Sequence, residues 1–112
     1  MSKFTECVEL YKAQNSELGL GLSESLLTSV AKGLGPSIYN PDSSKVSGSD
    51  QSELDRVKTN FLIKKLGLAD SPALDAAIAE CMDKLGSSNR NKYRAVVYAW
   101  LTVKFGKESV YN

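Results

Sequence analysis

Histidine is absent from this 112-residue chain. The omission removes the side chain that most often exchanges protons near neutral pH, and with it the commonest zinc ligand. Cysteine is scarce: only Cys7 and Cys81 occur, far apart and without a partner at metal-site spacing. Both fall on apolar helical faces, where a free thiol behaves as a small hydrophobe. Buried thiols in a reducing compartment are therefore expected, a disulfide or a reactive thiol being the alternatives. No apolar run approaches the ~20 residues that cross a bilayer. The opening MSKFTECVEL puts only Lys3 before a short, interrupted apolar stretch, unlike a signal peptide. A cytoplasmic protein with no membrane association is the expectation.

Recognisable catalytic chemistry is equally sparse. Ser23, Ser71 and Ser88 have no histidine to activate them and read as helix caps. Gly19-Leu20-Gly21 and Gly33-Leu34-Gly35 mimic nucleotide loops only weakly, because neither follows a strand or leads into a Gly-Lys-Ser/Thr phosphate grip. Asp75, Glu80 and Asp83 fall on a solvated helix face. No cofactor or metal site is implied, and an enzyme is the least favoured of the readings.

What is present is helix punctuation. Lys65-Leu66-Gly67, Lys84-Leu85-Gly86 and Lys104-Phe105-Gly106 each close an apolar helical stripe. Lysine near a helix end complements the carbonyl pole, and glycine takes the left-handed cap at low cost. The stripes predict a helix over about 3–14, carrying Phe4, Cys7, Val8 and Tyr11 on one face. A second runs from the Ser23 cap through Leu26, Leu27, Val30 and Leu34. Leu18, Leu20 and Leu22 then read as a loop that plugs the core, and Val110 and Tyr111 as an apolar clasp. Residues 35–48 are the longest non-periodic stretch, anchored by Ile38 and Tyr39, with a short turn at Asn40-Pro41-Asp42. A third helix is expected from an Asp50/Glu53 capping box to the first stop, and its two covered sides make it the central one. A fourth opens at Ser71-Pro72 and turns Leu74, Ala77, Ile78, Cys81, Met82 and Leu85 inward. The last starts at Ser88 or Asn89, with Tyr93, Val96, Val97, Trp100 and Leu101 inward. The expectation is an all-α, compact single domain, 1–112, of about five helices.

The formal charge of +1 conceals a polarity. Residues 1–55 hold four bases and eight acids, and residues 56–112 ten bases and five acids. The densest basic cluster is Asn89-Arg90-Asn91-Lys92-Tyr93-Arg94. At a helix N-terminus, Arg90 and Arg94 one turn apart could grip an anion, yet Lys92 would point away from them, which weakens a nucleic-acid reading. Internal pairing with Glu6, Glu9 or Glu53 is the competing and favoured account. Tyr98 lies off the apolar stripe and is expected to be partly exposed; with Tyr39 it is a candidate contact residue.

Four stretches carry a resemblance: Val30–Asn40, Asn60–Leu68, Ser88–Val96 and Phe105–Tyr111. Through them the chain resembles a family of small bacterial proteins known as domain of unknown function 2853. The resemblance implies a bacterial, soluble, single-domain protein and transfers no activity or site residue. The leading expectation is thus a helical interaction module that binds another protein or a second copy of itself. Anion or nucleic-acid binding through Arg90, Lys92 and Arg94 is the alternative.

Overall fold

The computed structural model describes residues 3–40, 43–86, 89 and 91–111. Among the described residues five helices form: α1 (Lys3–Leu18), α2 (Glu24–Leu34), α3 (Gln51–Arg56), α4 (Pro72–Leu85) and α5 (Arg94–Lys104). The all-α expectation is met, the only strand-like pairing among the described residues being an isolated antiparallel bridge between Lys45 and Tyr93. α1 runs four residues beyond the predicted end. Its polar last turn is held by bonds beyond the helix, with the Asn15 side chain donating to Leu22 O at 2.8 Å and accepting from Leu22 N at 2.9 Å. That exchange draws Leu22 into the core, whereas Leu18 stays on the helix and is exposed.

Ser23 caps α2 as its sequence position suggests, its hydroxyl accepting from Leu26 N at 3.1 Å. Asp50 caps α3 through Ser52 N at 3.0 Å. The capping box does not close, because Glu53 faces two arginines instead of the cap amide. Ser71 precedes α4 without a side-chain cap bond. All three Lys-x-Gly glycines adopt positive φ, at 72° for Gly67, 96° for Gly86 and 64° for Gly106, the backbone conformation that glycine admits most cheaply.

Beyond Arg56 the third helix widens. Val57–Ile63 is π-helical, with Lys64 N reaching Thr59 O at 3.2 Å and Leu66 N reaching Phe61 O at 2.9 Å. An i→i+5 ladder of this length is rare. It turns Val57, Phe61, Leu62 and Leu66 to the core.

The centre of the molecule is α5 rather than the third helix. Ala95, Val96, Val97, Ala99, Leu101 and Thr102 are completely covered, and the helix packs against α1, α2 and α4. Small alanines permit that approach from three sides. Trp100, expected inside, is half-buried with Lys104 Nζ 5.9 Å from its ring centre. The C-terminal 3₁₀ turn Glu108–Tyr111 folds back onto α2, as the apolar ending suggested. The proposed turn at Pro41-Asp42 and the Ser88 cap lie outside the described residues.

Candidate functional site

Between α1 and the connection from α4 to α5 lies a cleft of about 540 Å³, within the size range of ordinary ligand sites. α1 has two working faces. Val8 and Tyr11 point into the core, while Leu10, Ala13, Gln14, Glu17 and Leu18 line the cleft. Those five positions follow the i, i+3, i+4, i+7, i+8 spacing of one helical side. Leu10 is 51% exposed and Leu18 38%, so the rim offers two large apolar side chains to solvent. The opposite wall comes from Leu85, Asn89, Asn91 and Tyr93.

Gln14 forms part of this lining and is itself 94% covered. Its Nε2 donates to Asn91 O at 2.6 Å, which fixes the amide orientation, since a carbonyl can only accept. Oε1 is left without a hydrogen-bond partner. Leaving a buried acceptor unsatisfied costs about 1–3 kcal/mol.

The basic cluster has another character. α5 begins at Arg94, so Asn89, Asn91 and Lys92 precede the helix and the wheel geometry expected for them does not form. Arg90 lies outside the described residues. Arg94 is an internal clamp: Nε donates to Ser43 O at 2.6 Å, a terminal nitrogen to Tyr98 Oη at 3.2 Å and the other to Lys45 O at 3.4 Å. That last nitrogen also forms an ion pair with Glu53. Burial lowers the Arg94 pKa, but the Tyr98 and Glu53 contacts outweigh it and the net shift is upward. Backbone bonds Val46 N to Lys92 O at 2.7 Å and Arg94 N to Ser44 O at 2.8 Å complete the clamp. Lys92 is 5% exposed, and its Nζ donates to Asn89 O at 2.6 Å.

A family described as protein of unknown function (DUF2853) matches residues 10–109. The chain belongs to the DUF2853 family. Among curated proteins, none matches it. The matched span takes in the cleft residues from Leu10 to Tyr93 and the Glu53–Arg94 clamp.

Tyr98 is brought together with Arg94 of the basic cluster, whereas Tyr39 lies apart from both. Tyr98 stacks on Phe61 with ring centres 3.9 Å apart and sits under the Arg94 guanidinium at 5.7 Å. Tyr39 is 43% exposed in a separate depression beside Phe4 and Pro36. Among the described residues no three potential metal ligands cluster, and no helix is long and apolar enough to cross a membrane. Sequence reasoning missed Leu10, Gln14 and Leu18. The readable signal was a second apolar spacing on α1, Leu10 to Leu18, alongside the core stripe.

Proposed function

We propose that this DUF2853 protein is a non-catalytic docking module that receives a partner polypeptide in the cleft between α1 and the α4–α5 connection. The observation carrying the reading is the exposure of Leu10 and Leu18 together along the rim of the cleft. A partner covering the rim removes apolar surface from water at roughly 25 cal/mol per Å². Anion binding at Arg90, Lys92 and Arg94 has less support, because Arg94 spends its donors on Glu53, Tyr98 and two carbonyls. A reducing, cytoplasmic setting fits the burial of Cys81, whose thiol pKa is pushed up to about 12 by burial first and by the nearby Glu80 charge second.

A photoreactive side chain in place of exposed Ala13 tests the docking reading in cells. Cross-links should form from this position and disappear in a Leu10→Asp/Leu18→Asp variant that melts like the parent. Cross-links indifferent to that pair of substitutions, or none at all, would refute it. Sedimentation across a concentration series decides whether the partner is a second copy: a strictly monomeric chain removes that version.

A further inference from the structure

We infer that a second pocket, at the π-helical turn, binds a carboxylate carried on a flat apolar body. It holds about 150 Å³, close to the space that one benzene ring fills. Its described lining shares no residue with the docking cleft, so the inference stands apart from that reading. Asn60, Phe61 and Lys65 form one wall. Leu34, Tyr98 and Tyr111 come from the end of α2, from α5 and from the C-terminal turn. The wide pitch is what joins the first wall. Asn60 and Lys65 are five residues apart, the spacing that a π-helix brings to one side. On an α-helical wheel they would stand about 140° apart. The bond from Leu66 N to Phe61 O at 2.9 Å carries the i→i+5 pattern across this interval. Turns of this kind recur at functional sites.

The polar groups of this lining are donors. Lys65 is exposed and joins none of the ion pairs formed among the described residues. Its Nζ stands 5.3 Å from the centre of the Tyr111 ring. Tyr98 Oη accepts from Arg94 at 3.2 Å, which leaves the Tyr98 proton to be donated elsewhere. The Tyr111 hydroxyl stays protonated, because burial first and the Tyr98 charge second raise its pKa to about 12. Asn60 adds an exposed amide. No aspartate or glutamate is among the described lining. Asn112, the one sequence neighbour of these residues outside the described set, has a neutral side chain. A cation drawn to the three aromatic rings would meet Lys65, whose charge already sits against Tyr111. A bare inorganic anion would leave the apolar walls wet, since Phe61 and Tyr98 stack with ring centres 3.9 Å apart and Leu34 adds to that surface. An aromatic acid satisfies both the donors and the walls, whether free or at the C-terminus of a peptide.

Backbone and side-chain amide NMR of the full chain reads this directly. The probes are benzoate, benzamide, benzylammonium and acetyl-Gly-Phe with a free terminal carboxylate. Benzoate should shift Asn60, Phe61, Lys65, Tyr98 and Tyr111 saturably, including the Asn60 side-chain amide. Its affinity should fall about threefold in Lys65→Gln, the size of one exposed charge contact. Tyr111→Phe should weaken it about tenfold, the size of a hydrogen bond to a charged group. The first variant changes only an exposed chain and the second keeps its ring, so both should unfold at the parent's urea midpoint. Tighter binding of acetyl-Gly-Phe than of benzoate assigns the carboxylate to a polypeptide end, and the reverse assigns it to a free acid; either supports the site. Benzamide binding as well as benzoate, or benzylammonium binding more tightly, overturns the anion. Benzoate affinity indifferent to both substitutions, or resonances that neither carboxylate moves, overturns the site while leaving the docking cleft untouched.

Discussion

Arg94 illustrates how one side chain can hold distant parts of a small helical protein together. Its guanidinium joins the start of α5 to the 43–45 backbone and to Glu53, and Glu53 is also met by Arg56 at 2.9 Å. The Arg94 and Glu53 side chains are 14% and 11% exposed, so this pair sits largely out of water. Removing one member of such a pair strands the other charge, and Glu53→Ala should cost about 3 kcal/mol in urea unfolding. Arg94→Lys keeps the charge but not the fork, and should cost about 2 kcal/mol. A loss under half a kcal/mol for either would show that the clamp is dispensable. Tyrosines supply a second residue-scale test. Burial, followed by contact with Cys7, drives the Tyr11 pKa upward from 10.0. Burial, followed by the Tyr98 charge, raises Tyr111 to about 12. Both phenols release protons from the unfolded chain at lower pH than from the folded one. Above pH 10 the unfolded state thus binds fewer protons, and stability falls as pH rises. Below pH 10 these groups contribute no slope. Urea midpoints measured at increasing alkalinity should show this decline, and Tyr11→Phe should flatten it.

At the scale of elements, the sequence spelled out helices wherever apolar spacing and caps agreed, as in α2 and α4. It misled where tertiary bonds outvoted local signals. The polar turn at the end of α1 survives because Asn15 brackets Leu22, a contact no local pattern encodes. Residues 91–93 are not helical because their backbone is spent elsewhere, Lys92 O on Val46 and Asn91 O on Gln14. The third helix was legible in extent but not in pitch. On an α-helical wheel Leu66 stands roughly 180° from Val57, with Lys64 near Val57 instead. The π-helical turn reverses this, burying Leu66 to 3% exposure and leaving Lys64 outside. Leu66→Ala should therefore cost about 2–5 kcal/mol as a cavity in the core, while Lys64→Ala should stay within about 0.5 kcal/mol. Chemical denaturation of the two variants separates the geometries. Comparable losses at both positions would favour an ordinary α-helical pitch.

Across the whole molecule, the division into an acidic first half and a basic second half turns out to be partly internal wiring. Glu53 reaches from the first half to Arg94, while Lys58 pairs with Asp70 and Asp75 and Lys104 with Glu80 inside the second. The polarity was plain from residue counts, but its wiring was not, since pairing depends on how helices cross. The candidate site was less legible still. Leu10 is an ordinary helix residue in the sequence and Leu18 reads as part of a core-plugging loop, and their exposure follows from how far α1 runs and which side of it the other helices cover. The chain ending was legible, because an apolar tail after a helix stop has to find cover. Tyr111 lies over Gly33, where an added Cβ would meet its ring at 3.4 Å, and Lys65 Nζ stands 5.3 Å from the ring centre. The tail thus bridges α2 and the end of the π-helical segment. Tyr111→Ala should remove about 1 kcal/mol, part of the value of a fully buried aromatic ring. Hydrogen exchange distinguishes a true clasp from a loose end. Amides of α2 near Gly33 and of residues 61–66 should exchange faster together in the variant, while those of α4 hold their protection. A tail that merely rests on the surface would leave both sets unchanged.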